Sequence, residues 1–278
     1  MVGKKYTKWI IFAVLLIVAA LIIFPILVVL MNSFKANLFI SSTGAFVPPN
    51  EQSFVGIQNY TNGIDRINFF SAFGYSLWIT VASVIFILLL TSMLAWYITR
   101  VHGKVTSIIY YLLTFSMIVP FQMVMFPMSK FANMIHIDNP VGIIILYVGF
   151  GCGMSTFMFS GFIKSIPIAL EEAAMIDGAT PVRTFFSVVM PMLKSTAITI
   201  AILETMWVWN DYLMPYLVIG TEYRTIPVAV QYLRGGYGSV DMGAMMAMLV
   251  LAMIPVIVFY LFCQKYIIKG VLAGAVKG

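Results

Sequence analysis

Very few residues in this chain could do chemistry, and their types and spacing narrow what it could be. Its 278 residues hold 16 Lys and Arg, 10 Asp and Glu and two His. His102 and His136 lie far apart, and Cys152 and Cys263 lack metal-ligand spacing, so no metal site is expected. The cysteines read as small apolar residues of membrane helices. Gly3-Lys4 and Gly103-Lys104 do not belong to the G-x-x-x-x-G-K-[ST] loop that cradles phosphates. No nucleophile stands beside a base. The expectation is no catalytic residue, no cofactor bound by this chain and no enzyme.

Two polar groups remain. Glu204, Trp207 and Asp211 are offset by three and seven, which puts them on one face of a helix. Three readings stay open for that stripe. It could be a proton relay, since ion-coupled secondary transporters need ionisable groups at membrane depth. It could face a polar translocation path. Or Asp211 could sit at the membrane boundary while Glu204 makes an interhelical bond, with Tyr212 and Tyr216 as interfacial aromatics. The second group is the stretch EEAAMIDGATPVRTFFSVVMPM at 171–192.

The elements that must hold these groups are membrane-grade. The chain is 62% hydrophobic and 9% charged, against about 25% charged in soluble domains. This excludes a soluble globular protein and makes the net charge of +6 no sign of nucleic-acid binding. Six stretches reach the ~20 apolar residues a span needs, at 9–31, 73–98, 107–129, 140–163, 195–220 and 243–264. The first reads as an uncleaved helix because its apolar run exceeds the roughly 7–15 residues of a signal peptide. Prolines 25, 120, 127, 215 and 255 fall inside spans, where neighbouring helices can tolerate them. With the N-terminus inside, eleven Lys and Arg fall on the inner side and five (Lys35, Arg66, Lys130, Arg224, Arg234) on the outer. The positive-inside rule then places both termini and the 171–192 stretch in the cytoplasm. Loops at about 32–72 and 221–242 lie outside. Gly149 and Gly153 form a G-x-x-x-G, read as helix packing or a dimer seam.

The insert at 171–192 reads as two short helices meeting at a corner. Pro167 suits a first turn, and Gly178 suits a left-handed C-terminal position. Thr180-Pro181 reads as an N-cap followed by the first helical residue. Phe185, Val188 and Met192 recur at helical spacing, and Pro191 should end or kink the helix. Ala169, Ala173 and Ile176 share a face of the first helix whose small side chains permit close approach, and Glu172 offers a charge. From these features alone, an ordinary solvated loop is the competing reading.

Glu172-Ala173-Ala174, three residues, Gly178, nine residues, Val188, one residue and Met190-Pro191 resembles the EAA loop, E-A-A-x3-G-x9-I-x-L-P, of ABC-importer permeases. Met31-Asn32-Ser33-Phe34-Lys35, Asn59-Tyr60, Ile118-Val119-Pro120, Trp207 through Leu213, Lys265 through Gly270 and Ala273 through Gly278 are similar to MalG-type permeases of carbohydrate importers. Tyr75 and Ser195 depart from the family, which more often has Asn and Pro there. The resemblance implies an all-α polytopic membrane protein with six transmembrane helices and the type I (MetI-like) importer fold. Residues 1–70 would hold the first span and an outer loop. Residues 71–278 would form the transmembrane core, with the EAA loop at about 165–194.

The implied function is half the translocation path for a sugar or oligosaccharide, in a bacterial inner membrane. The implied partners are a second, MalF-like permease, two cytoplasmic ABC ATPases that hold ATP and Mg, an extracytoplasmic solute-binding protein and membrane lipid. Carried over, Glu171, Glu172, Ala173, Ala174, Asp177, Gly178 and Pro191 belong to the ATPase-coupling loop. Glu172 would pair with a basic group, and Lys277-Gly278 would approach the ATPases. Glu204, Trp207, Trp209, Asn210 and Asp211 are substrate-path candidates, because rings stack on sugar faces and amides bond hydroxyls. Tyr223, Gly235, Gly236 and Gly238 are candidates for contact with the binding protein, against the plain alternative of a flexible loop. A carrier would not need the EAA loop, which favours the permease over the ion-coupled alternative.

Overall fold

The computed structural model describes residues 2–233 and 240–275, with side chains described from Thr7 to Leu233 and from Val240 to Tyr266. Gly235, Gly236, Gly238, Lys277 and Gly278 lie outside the described residues. Among the described residues the regular structure is helical, apart from an isolated bridge between Lys35 and Phe54. In chain order the helices are α1 (Val2–Asn32), α2 (Asn37–Ser42), α3 (Gln58–Ile67), α4 (Phe69–Arg100), α5 (Lys104–Ser116), α6 (Phe121–Met134) and α7 (Gly142–Ile163). Then follow α8 (Ala169–Ile176), α9 (Pro181–Thr184), a π turn (Phe185–Val189), α10 (Met190–Met192), α11 (Lys194–Asn210), α12 (Leu213–Val218), α13 (Ile226–Gln231) and α14 (Met242–Ala275).

Four helices, α1, α4, α7 and α14, are long and apolar enough to cross a membrane. Two bent pairs raise the number to six if each is one span: α5 with α6 at 106°, and Pro181–Met192 with α11 at 77°. The third span is therefore not one helix from 107 to 129. Pro120 has no N–H to continue α5 and biases Val119 away from helical backbone, and it sits instead at the N-cap of α6. The fifth is not continuous from 195 to 220 either. Asp211 is extended, and its Oδ1 accepts the N–H of Leu213 at 3.0 Å and of Met214 at 3.5 Å. A short acidic side chain that bonds the backbone two and three residues on competes with the helix and ends it.

The chain divides into two compact units, Met1–Phe70 with Ala229–Pro255, and Ser71–Val228 with Val256–Gly278. In the first, the most apolar stretch of α1 buries none of its residues, as expected of a helix whose solvent is lipid. The segment after α1 is tied to α3. Asn59 donates to the carbonyls of Ser33 and Lys35, both at 2.8 Å, and Ser33 Oγ lies 2.7 Å from Tyr60 Oη. Lys35 is fully buried and donates to the carbonyls of Gly44 and Val47, each at 3.0 Å. The two separate motifs at 31–35 and 59–60 are thus one hydrogen-bonded cluster.

The second unit has two cores. One gathers Ile79, Ile143, Tyr147, Val208 and Met214; the other gathers Ala95, Phe159, Ile163, Phe185, Val189, Leu193 and Ile200. The second core is what holds the insert against the spans. Within α7, Gly153 is the tight member of the G-x-x-x-G. A Cβ there would lie 2.6 Å from the Leu113 carbonyl oxygen, whereas one on Gly149 would meet nothing within 4 Å. Gly149 lines an apolar groove of about 440 Å³ with Leu112, Phe115, Ile145 and Phe150.

Candidate functional site

The insert forms because its capping residues stand where the backbone needs them. Helix α8 ends in a double hydrogen bond: Ala179 N–H to Ala174 O at 2.9 Å and Gly178 N–H to Met175 O at 3.0 Å. This closure requires a left-handed residue after the cap, and Gly178 has φ +87°. Thr180 then caps the next helix, its Oγ1 accepting the Arg183 N–H at 3.3 Å, with Pro181 following.

The second helix departs from the expected stripe. It widens into a π turn at Phe185–Val189 just before Pro191, whose ring would crowd the carbonyl four residues back and offers it no N–H. The register shift buries Phe185, Val189 and Leu193 fully, while Val188 is half-buried and Met192 exposed.

The two glutamates part company. Neighbours on an α-helix are about 100° apart, so they cannot share a face. Glu171 is buried at 2% exposure, and its Oε1 receives Arg100 Nη2 at 2.7 Å and Nε at 3.0 Å. Its Oε2 receives Trp96 Nε1 at 2.8 Å. Glu172, Ala173, Asp177, Gly178 and Pro191 are exposed, and Ala174 is half-buried. Ala169, Leu170, Met175 and Ile176 are exposed beside them, Ile176 at 86%. The insert therefore presents a small-residue and apolar face carrying the outward carboxylates of Glu172 and Asp177, on a base locked from within by Glu171.

On α11, the expected stripe divides as well. Glu204 is buried and accepts Ser155 Oγ–H at 2.8 Å, and Asp211 accepts Tyr147 Oη–H at 3.0 Å. Both partners lie on α7. Gly151, between them, brings the helices close: a Cβ there would lie 3.1 Å from Glu204 Oε2. The carboxylates thus join two helices. Trp209 is buried and meets Phe73 edge-on at 5.9 Å. Trp207 meets Tyr147 edge-on at 5.4 Å yet keeps 37% of its surface exposed. Asn210 is exposed, donating to the Met206 carbonyl at 2.7 Å. Leu203, Trp207 and Asn210 form the open face of α11. In the loop after α12, Tyr223 is half-buried against Tyr75, ring centroids 5.6 Å apart, so the Tyr that departs from the family pattern has a packing partner.

The profile of the binding-protein-dependent transport system inner membrane component family matches residues 87–272, a stretch that contains the insert, α7 and α11. The chain belongs to that family. It is a permease component of an ABC importer and a multi-pass membrane protein. It is 36% identical over 263 residues, 94% of each chain, to a probable starch degradation products transport system permease, AmyC, of Thermoanaerobacterium thermosulfurigenes. It is 34% identical, over 92% of each chain, to the multiple sugar-binding transport system permease MsmG of Streptococcus mutans. It is 32% identical, over 94% of each chain, to the melibiose/raffinose/stachyose import permease MelC of Bacillus subtilis. A bacterial ABC transporter that imports the acidic polysaccharide alginate has the same fold, with TM-score 0.76 at 22% identity over 95% of this chain and 97% of that one.

The permease's sequence did not single out Trp96, Arg100, Tyr147, Gly151 or Ser155 for any role. A signal existed for two of them. Trp96 and Arg100 are four apart at the end of a span, hence on one face, and a cation at a helix C-terminus next to a spare glutamate is an ion-pair candidate. Tyr147 and Ser155 are eight apart, as Glu204 and Asp211 are seven apart. Matching two-turn spacings on adjacent helices are visible only once the pairing of the helices is known.

Proposed function

We propose that this chain forms half of the translocation path of an importer for a sugar or oligosaccharide, with the Glu171–Pro191 insert as its coupling loop. One observation carries the reading: the insert's outward face, with Glu172, Ala173, Asp177 and Gly178 exposed, stands on a buried Glu171 anchor. A solvated loop needs no such anchor. A surface that must bear load against another subunit does. Glu172 would pair with a basic group on an ATPase, Ala173 and Ala174 would let that subunit seat closely, and Asp177, Gly178 and Pro191 would shape the corner and its end. ATP and Mg would be held by two such ATPase subunits. A second permease completes the path, and an external solute-binding protein delivers the solute at the Tyr223 side. Both termini lie in the cytoplasm.

Sugar transport is supported by the named roles of AmyC, MsmG and MelC. On this chain the open face of α11, with Trp207 and Asn210, offers a ring for apolar sugar faces and an amide for hydroxyls. Glu204, Asp211 and Trp209 serve that path by fixing α11 against its neighbours. The test is uptake of labelled maltooligosaccharides and raffinose by cells carrying Glu172→Ala or Gly178→Asp. Each should lower uptake about fivefold or more, as loss of about 1 kcal/mol at an interface centre would, with normal amounts of chain in the membrane. Full uptake in both variants would overturn the coupling-loop assignment.

A further inference from the structure

We propose that Trp96, Arg100 and Glu171 form a clamp that makes the insert and α4 move as one body, so that motion of the coupling loop enters the spans through α4. The proposal rests on the coupling-loop reading and adds the route and the residues.

The clamp holds the insert at three points. Arg100 Nη2 donates to the Ile166 carbonyl at 2.9 Å, in the turn before α8. The same guanidinium and Trp96 Nε1 satisfy both oxygens of Glu171 on α8. The Trp96 ring lies 5.5 Å from that of Phe185, beyond the Gly178 corner. Trp96 and Arg100 thus reach both helices of the insert and the turn leading in. An exposed ion pair would yield under load, because water competes for it. Here Glu171 is 2% and Arg100 17% exposed, and a buried carboxylate with all its partners made resists separation.

The covalent routes out of the insert are jointed. Toward α11 the chain passes the π turn and a 77° break. Toward α7 it passes the non-helical turn that contains Ile166. Helix α4 has neither feature: it runs unbroken from Phe69 to Arg100 without a proline. Its far end reaches the region where α11 gives way to α12. Phe73 meets Trp209 there, Ser76 Oγ accepts the Ile226 N–H at 2.8 Å, and Ile79 shares a core with Tyr147 and Val208. An unjointed helix clamped at one end and packed on the α11 break at the other is a lever between the two sites. Such a route is established only by showing that both sites bias one element.

The test uses the intact importer, isolated through a tag on this chain, with Cys152 and Cys263 replaced by Ala. Spin labels at the exposed positions Val182→Cys and Val101→Cys report the distance between insert and α4, without nucleotide and with ATP trapped. The clamp predicts the same distance in both states. In a Trp96→Phe/Glu171→Gln variant the distance should change on ATP binding. In a separate Asn210→Cys reporter, the ATP-dependent change in thiol-reagent labelling should shrink at least about fivefold in that variant, the scale of an allosteric coupling, with the ATPase subunits still bound. A shift of the Val182–Val101 distance with the clamp intact would overturn the proposal, as would an undiminished Asn210 response in the variant. If Glu172→Ala keeps the full response while the clamp variant loses it, the docking role of Glu172 fails and the clamp stands.

Discussion

Single residues in this permease do their work by being unable to do anything else. Gly178 is one: at φ +87° a residue with a Cβ costs about 1–2 kcal/mol. Gly178→Ala should therefore loosen the α8 corner, seen as faster amide exchange at Ala179, whose N–H closes it. Gly151 is another. With a Cβ there, the side-chain ends of Ile87 and Glu204 would lie at 2.8 and 3.1 Å, so these two buried side chains would have to shift. Gly151→Val should lower the midpoint of thermal unfolding in detergent, while Gly149→Val, facing open space, should not. The residue types in the insert were legible in the sequence down to the caps, because capping depends on neighbours three or four positions away. Which glutamate faced inward was not, since that depends on Arg100, 71 positions upstream of Glu171.

Elements show the same division. The four unbroken spans follow from runs of apolar residues alone. The 106° bend between α5 and α6 traces to Pro120, a residue the sequence displayed but whose effect was open, because partner helices can absorb a proline in a membrane. The π turn before Pro191 was not legible: helical spacing grouped Phe185 with Val188 and Met192, whereas with one wide turn the residues buried alongside Phe185 are Val189 and Leu193. In the outer part, α3 is held to the segment after α1 by the Asn59 amide. Asn59→Ala leaves two carbonyls unmatched, at about 1–3 kcal/mol each if they stay dry. It should make residues 36–57 markedly more susceptible to protease in membranes, and unchanged cleavage would show that water replaces the amide.

For the whole molecule, composition named the class, and the proposed orientation rests on charge asymmetry. The insert carries Arg183 and is followed by Lys194, and the positive-inside account puts it on the side of the N-terminus. A phosphatase that folds only outside the cytoplasm should be inactive when fused after Gly178 and active when fused after Gly220; the reverse pattern would invert the topology. The proposed docking face of the insert is a claim about company: it calls for an ATPase subunit seated against Glu172.

The most direct measurement is to isolate this chain by a tag from its native membranes in mild detergent and identify what comes with it. The account predicts a second permease and a P-loop ATPase, with the ATPase lost when Glu172 is replaced by Ala. Recovery of the chain alone, in a form that transports solute after reconstitution without ATP, would contradict it.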